Sequence, residues 1–424
     1  MNEQPLLLDS DAKCVKPAVP PLKRVLFVDD DQNILDGIKR TLHSMRGEWQ
    51  MAFSASGEEA LKKLEESEFD VIVTDMRMPG KNGSELLAEV LERYPSIVRI
   101  VLSGTVEHDL VLRSAATAHQ CLVKPCDATT LRAALEAAFR MREMLVSPKL
   151  RSLVSRMTSL PTLPSVHAKL VESLENPEIS SREIGEIIAQ DVGMTAKLLQ
   201  LANSAFFGLY RYVASPSEAA IYLGLDTIRA LSLSTGVFSV FQQSGAAGLF
   251  IGQLQRHSMK VGMVANIIAK RESLPKKGCD SSLIGGLLHD VGKLVLAANC
   301  PKEYDDVLAV ARKDGAACHE AERQAFGATH AEIGAYLLRL WGLPDEMCKA
   351  VAFHHKPADC SATSFTAAAA IHVADALEHE VEGAPDPACR ADIDMNYLNS
   401  ITLVDHVPEW RRLHDEFTSR GEEA

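Results

Sequence analysis

Basic charge is scarce relative to acid in this 424-residue chain, with 44 Lys and Arg against 57 Asp and Glu and a net charge of −13. A general affinity for nucleic acid needs concentrated Lys and Arg. No helix-turn-helix with a basic recognition face stands out, so neither a transcription factor nor a DNA partner is expected. C-x-x-C pairs are absent. The nine cysteines, at 14, 121, 126, 279, 300, 318, 348, 360 and 389, are an odd, scattered set that reads as reduced thiols in a cytoplasmic protein, mostly as small core residues. No run approaches the roughly 20 apolar residues of a membrane span. No basic segment followed by a long apolar stretch opens the chain, and Leu6–Leu8 is too short for a leader or anchor. No internal repeat is evident.

What is present is an ordinary apolar fraction, 46%, enough for a full core, and a length that suggests two or three domains. Residues 1–21 are Pro-rich and read as a disordered tail. Residues 22–142 alternate short apolar runs (Arg24–Val28, Met51–Ala55, Val71–Thr74, Ile97–Leu102, Cys121–Val123) with amphipathic segments, which predicts repeated βα units and a doubly wound parallel sheet. Ser56-x-x-Glu59 is a capping box before a helix over Glu58–Leu64. Asp127 suits the N-cap of a helix over Leu131–Phe139. Past residue 143 the pattern becomes all-helical, with 3.6-residue periods separated by Gly or Pro. Ser180-x-x-Glu183 and Ser215-Pro-x-Glu218 are further capping boxes, the second with Pro at the first helical position. Residues 143–160 read as a helical linker broken by Pro148, 161–380 as a helical domain, and 381–424 as an acidic extension.

The first two strands that carry carboxylates end in Asp29-Asp30-Asp31 and Asp75. In an open parallel sheet ligands bind beyond the carboxyl ends of the strands, so Asp29, Asp30 and Asp75 gather at one edge. Mutually repelling carboxylates need a hard cation. Mg²⁺ takes oxygen ligands and keeps several waters, leaving room for a phosphoryl group and freeing one carboxylate to act as nucleophile. Two other strand ends add Ser103 and Lys124, a hydroxyl and a fixed cation. Each alone reads as a solvated residue at a turn; the ordered set reads as a phosphoacceptor site.

These motifs, Phe-Val-Asp29-Asp30-Asp, Thr-Asp75-Met-Arg-Met-Pro-Gly, Leu-Ser103-Gly and Val-Lys124-Pro, resemble those of a response-regulator receiver domain. The resemblance implies phosphorylation of Asp75 by a sensor histidine kinase. It also implies Mg²⁺ on Asp29, Asp30, Asp75 and the Arg77 backbone carbonyl, and phosphoryl contacts from Ser103 and Lys124. One departure is Cys121, which stands three residues before the Lys where the family often has an aromatic switch residue.

The helical half holds a second set: His257, His289-Asp290 with Lys293 one turn on, His330, His354, His355 and Asp375. Singly, a His on an apolar helix reads as a core residue donating to a backbone carbonyl, Asp290 as a buried acceptor, and His354-His355 as a C-cap pair. Jointly, imidazoles and carboxylates on several helices can converge to hold one or two divalent transition-metal ions, with Lys293 offering a phosphate contact. In Ala202-Asn203-Ser204-Ala-Phe206-Phe207-Gly208, packing at a helix C-terminus is favoured over a ligand site.

Residues about 155–375 resemble an HDOD domain, the HD-related output domain of bacterial signalling proteins. The resemblance rests on Leu160-Pro-x-Leu163-Pro, Leu201-Ala-Asn203-Ser204-Ala-Phe-Phe-Gly208, Glu218-Ala-x-x-x-Leu223-Gly224, Gly286-Leu-Leu-His289-Asp290, and Leu340-Trp341-Gly-Leu-Pro344 leading to His354-His355. It implies a non-catalytic interaction domain. Related HD-GYP phosphodiesterases carry a carboxylate where this chain has Gln253, and Gly-Tyr-Pro where it has Lys356-Pro357-Ala358-Asp359, which argues against efficient cyclic di-GMP hydrolysis. The expectation is a phosphorylation-switched interaction protein whose helical domain binds a protein partner, such as a cyclic di-GMP turnover protein, with a homodimer as one way of burying a changed face. The rival is a receiver-gated metal phosphohydrolase acting on a nucleotide.

Overall fold

Each apolar run of the N-terminal third becomes a buried strand because helices cover both faces of the sheet, as parallel strands require. The computed structural model describes residues 23–104, 117–144, 147–157, 160–176, 178–203, 213–233, 239–240, 246–360, 364–380 and 391–422. Its first part contains β1 (Lys23–Val28), α1 (Gln32–Thr41), β2 (Trp49–Ser54), α2 (Gly57–Glu66), β3 (Val71–Asp75), α3 (Gly83–Arg93), β4 (Val98–Ser103), β5 (Gln120–Val123) and α4 (Ala128–Met144). The sheet is parallel throughout, in the order β2-β1-β3-β4-β5. The strand order reverses beside β1, so the ends of β1 and β3 flank the crevice where such sheets bind ligands. The sequence-predicted strands match to within two residues. Ser56 accepts from Glu59 N, but Glu59 reaches back to Ala55 N rather than to Ser56. Asp127 accepts from Thr129 N and Thr130 N as the expected cap.

The helical part contains α5 (Pro148–Ser155), β6 (Pro161–Thr162), α6 (Pro164–Glu175), α7 (Ser181–Ile188), α8 (Val192–Ala202), α9 (Pro216–Leu223), α10 (Leu225–Leu233), β7 (Ser239–Val240), α11 (Ala246–Arg271), α12 (Lys276–Leu288), α13 (Val291–Asn299), α14 (Pro301–Asp314), α15 (Cys318–Phe326), α16 (His330–Leu340), α17 (Asp345–Ala352), α18 (Ala367–Glu380), α19 (Met395–Ser400) and α20 (Val407–Glu422). Pro148 interrupts the helical stretch, with α4 ending at Met144. It opens α5 at the first helical position behind the Ser147 cap, where its missing N–H costs nothing. The Ser180 box forms reciprocally, and Ser215 caps α9 ahead of Pro216. The final helices pack on α11 and α18 through Tyr397, Leu398 and the fully buried Trp410. Asn203 caps α8 and its side chain bonds Val213 N and O, a packing role. Ser204, Phe206, Phe207 and Gly208, like the tail 1–21, lie outside the described residues.

Among the described residues one stretch, Lys276–Asn299, is long and apolar enough by length and composition to cross a membrane, but 83% of its 18-residue apolar window is buried inside the protein. It comprises α12 and α13, two core helices whose apolar character is used against neighbouring helices. Close helix approaches set this arrangement. A Cβ on Gly286 would lie 2.7 Å from Gly262 Cα, so α11 and α12 cross on bare backbone, which brings His257 beside His289. A Cβ on Gly292 would lie 2.0 Å from the His330 carbonyl oxygen. Gly292→Ala is expected to destabilise the chain by about 1–3 kcal/mol or more, since the obstacle is backbone, read as a lower midpoint in chemical denaturation.

The receiver-like and helical parts share one core. On the β4–β5 side of the sheet, the fully buried Arg99 donates to Ser155 O at 2.7 Å, and the His119 ring lies 2.9 Å from the same oxygen. Gln120 Nε2 donates to Arg339 O and Leu340 O at the end of α16, and Gln200 Nε2 on α8 donates to His119 O. Lys197 on α8 is buried, with its ammonium 5.7 Å from the Trp341 ring centroid. Burial pushes Arg99 down to about 9 and Lys197 down to about 7. The strands that make this contact are the ones that end in Ser103 and Lys124.

Candidate functional site

Two groups of chemically active side chains stand out. The first lies at the carboxyl ends of β1, β3, β4 and β5. Asp29 is buried and accepts from Asp31 N through Oδ1 and from Lys124 Nζ at 2.6 Å through Oδ2. Lys124 Nζ is also 2.5 Å from Asp75 Oδ1, and Asp75 Oδ2 accepts from Arg77 N at 2.9 Å. Ser103 is buried at the end of β4, and its carbonyl accepts from Lys124 N at 2.7 Å. Asp30 lies exposed at the rim. Burial raises the Asp29 carboxyl above its ordinary range, and Lys124 partly offsets this. Burial pushes the Lys124 ammonium down, but bonds to Asp29 and Asp75 outweigh it and raise the group. Cys121 is partly buried and packs against the cores on both faces of the sheet. The structure thus brings Asp29, Asp75, Ser103 and Lys124 together around one crevice, with Asp30 beside it.

The second group lies inside the helical part. His257 comes from α11, His289 and Asp290 from the α12–α13 junction, His330 from the start of α16, His354 and His355 from beyond α17, and Asp375 from α18. His257 Nε2 is 3.0 Å from Asp375 Oδ1. Asp290 Oδ1 is 3.2 Å from His330 Nε2, and its Oδ2 is 3.4 Å from His289 Nε2 and 2.8 Å from Lys293 Nζ. The His355 and His330 Nε2 atoms are 2.9 Å apart. Lys293 is buried, so its ammonium neutralises Asp290 rather than facing solvent.

The hydrogen bonds divide these imidazoles by role. Three have Nδ1 tied down: His289 to Gly286 O at 2.6 Å, His354 to Val351 O at 2.7 Å, and His330 to Glu322 Oε2 at 2.7 Å. In each, an Nδ1–H donated this way leaves Nε2 with the lone pair, the arrangement typical of metal-ligating His. His289 Nε2, His354 Nε2, Asp290 Oδ1 and His257 Nδ1 are buried atoms without a well-formed hydrogen bond. His289 Nε2 and Asp290 Oδ1 have only ionic approaches of 3.2–3.5 Å. Buried polar atoms are seldom left so, and each costs about 1–3 kcal/mol. By contrast, His372 is satisfied at both nitrogens, by His354 O and Asp394 N, and is a core residue.

A divalent cation fits this donor set, and four overlapping trios of donor atoms lie within 4.8 Å of one another. In the protein alone, burial pushes His289 and His330 down, but Asp290 and Asp375 raise His289 to about 10, and Glu322 and Asp290 raise His330 to about 9. Sequence reasoning missed Glu322 and His379. Glu322 lies across the Gly327 turn from His330, a contact that no spacing rule marks. His379, four residues after Asp375 and so on the same helix face, was legible. A cavity of about 670 Å³, lined by His319, Arg323, Thr329, Glu332, His355 and Lys356, reaches the group at His355.

Comparison with known proteins matches these two parts to two families. Residues 25–136 match the response regulator receiver domain and residues 160–357 the HDOD domain. An uncharacterized protein of Treponema pallidum is 30% identical over 204 residues, 48% of this chain and 39% of that protein, so the chain spans well under half of it. Among solved structures, the signal receiver domain of an HD domain-containing protein from Pseudomonas fluorescens Pf-5 is 27% identical, covering 29% of this chain and 98% of that one at a TM-score of 0.28. An HDOD domain protein from Geobacter sulfurreducens is 22% identical, covering 68% of this chain and 98% of that one at a TM-score of 0.31. The chain therefore carries a response regulator receiver domain followed by an HDOD domain.

Proposed function

We propose that the chain is a phosphorylation-switched regulator in which Asp75 accepts a phosphoryl group from a histidine kinase and the docked helical domain delivers the output to a protein partner. The observation that carries this reading is Lys124, which sits between Asp29 and Asp75 directly after β5, the strand whose Gln120 contacts the helical domain. A phosphoryl group on Asp75 adds negative charge beside that ammonium. Lys124 and the Ser103 hydroxyl are then drawn toward it, and β4 and β5 carry the change to Arg99, His119 and Gln120. Asp29, Asp30 and Asp75, with the Arg77 carbonyl, would hold Mg²⁺, which offsets phosphoryl charge when bound. The test is incubation of the full chain with Mg²⁺ and acetyl phosphate. One hydroxylamine-sensitive phosphoryl group per chain is expected, and no labelling would contradict the reading.

A second reading, a metal-dependent phosphohydrolase, is favoured by the tied Nδ1 atoms and the cavity at His355. His257, His289, Asp290, His330, His354, His355 and Asp375 would hold the ions, which lower the pKa of bound water when present. Release of p-nitrophenol from a model phosphodiester, lost in Asp290→Asn, supports this reading. No release above background leaves the interaction role.

A further inference from the structure

We propose that His379 is a metal ligand and that the buried His and Asp set divides into two cation subsites, one on His257, Asp375 and His379 and the other on His330, His354 and His355. The inference rests on reading this set as a metal centre. It adds a ligand outside the His-Asp pattern from which that reading starts.

Both trios bring one donor atom from each residue within 4.8 Å of the others. They have no member in common, and the trio of His289, His354 and Asp375 spans them, so they lie side by side with His289 between. Asp290 and His289 link them: Asp290 Oδ1 is 3.2 Å from His330, its Oδ2 is 3.4 Å from His289, and His289 Nε2 is 3.5 Å from Asp375 Oδ1. His379 is held as His289 and His354 are, by Nδ1 on a backbone carbonyl about one turn back. Its Nδ1 is 2.8 Å from the Asp375 carbonyl oxygen, one helical turn back, and 3.2 Å from Asp375 Oδ1. Donation there fixes the ring and leaves Nε2 as the lone-pair nitrogen. Its side chain is 6% exposed and its ring centroid is 4.7 Å from that of His257. Two imidazoles and a carboxylate make a familiar three-residue set for a transition-metal ion, and three imidazoles make another. Imidazole-rich sets of this kind suit zinc, iron or copper better than magnesium or calcium.

The surroundings support a binding rather than a packing role. On the same helix, Glu378 takes the outward partners, with His414 Nε2 at 2.9 Å and Lys260 Nζ at 3.6 Å. His379 makes neither contact and turns to His257 and Asp375.

The test uses the full chain, stripped with chelator, reloaded with Zn²⁺, freed of excess by gel filtration and analysed by plasma mass spectrometry. The wild type is expected to hold about two equivalents, and His379→Ala about one. His379→Gln, which can still donate to the Asp375 carbonyl but offers no imidazole, should also hold about one. It serves if the alanine variant does not fold, with circular dichroism as the check. Two equivalents in the wild type and in both folded variants, with equal resistance to chelator, overturn the role of His379 alone. Loss of both ions in the folded variants overturns the division into subsites. One equivalent or none in the wild type overturns the two-ion reading on which the inference rests.

Discussion

Asp75→Asn is expected to abolish acetyl-phosphate labelling while leaving the fold intact. The amide keeps the size of the carboxylate, and its oxygen can still accept from Arg77 N, but it is no nucleophile. Neither neighbouring carboxylate can replace it. Asp29 is buried and engaged by Lys124 and Asp31 N, and Asp30 lies out on the rim. The Asp75 side chain, at 11% exposed, remains reachable. Residual labelling at the wild-type level, mapped by borohydride trapping and peptide mass spectrometry, would place the phosphoacceptor elsewhere.

Asp290→Ala is expected to remove all bound transition metal, because this carboxylate reaches toward both His330 and His289. It also takes from Lys293 and the raised His289 a buried counter-charge they share. Breaking a buried pair in this way costs roughly 3–5 kcal/mol, so the metal-free variant should melt well below the metal-free wild type. Asp290→Asn keeps the volume and separates loss of charge from loss of packing.

The pH dependence has a definite sign. His289 and His330 are raised to about 10 and about 9 in the metal-free protein. Their charged partnerships therefore contribute stability that is full below about pH 6.5, the unfolded value, and is lost as pH rises through the folded values. A metal ion competes with those protons, so Zn²⁺ affinity should rise with pH over the same window. Affinity that is flat with pH would count against His289 and His330 as ligands.

The receiver part was largely legible because its information is local. Short apolar runs mark strands, and a parallel sheet delivers whatever follows them to one edge, so Asp29, Asp75, Ser103 and Lys124 could be grouped without tertiary knowledge. The helical site was legible only as a set of residue types. Which His serves as a ligand depends on what its second nitrogen touches: His354 and His372 look alike in sequence, yet the first has a buried unsatisfied Nε2 and the second is bonded at both ends. The contact between the two parts was not legible at all. Arg99, His119, Lys197 and Gln200 are polar residues within strand and helix patterns, and their burial comes from docking. Lys197 in particular lies on α8, a helix whose every residue is buried.

The most direct measurement is hydrogen exchange of the full chain with and without Mg²⁺ and beryllofluoride, a stable stand-in for the phosphoryl group on Asp75. Changed protection is expected in β5 and α4, and also across the contact, in residues 150–157, along α8 and at the end of α16 near Arg339 and Leu340. Changes confined to residues 23–144 would contradict a receiver that controls the helical domain through this contact.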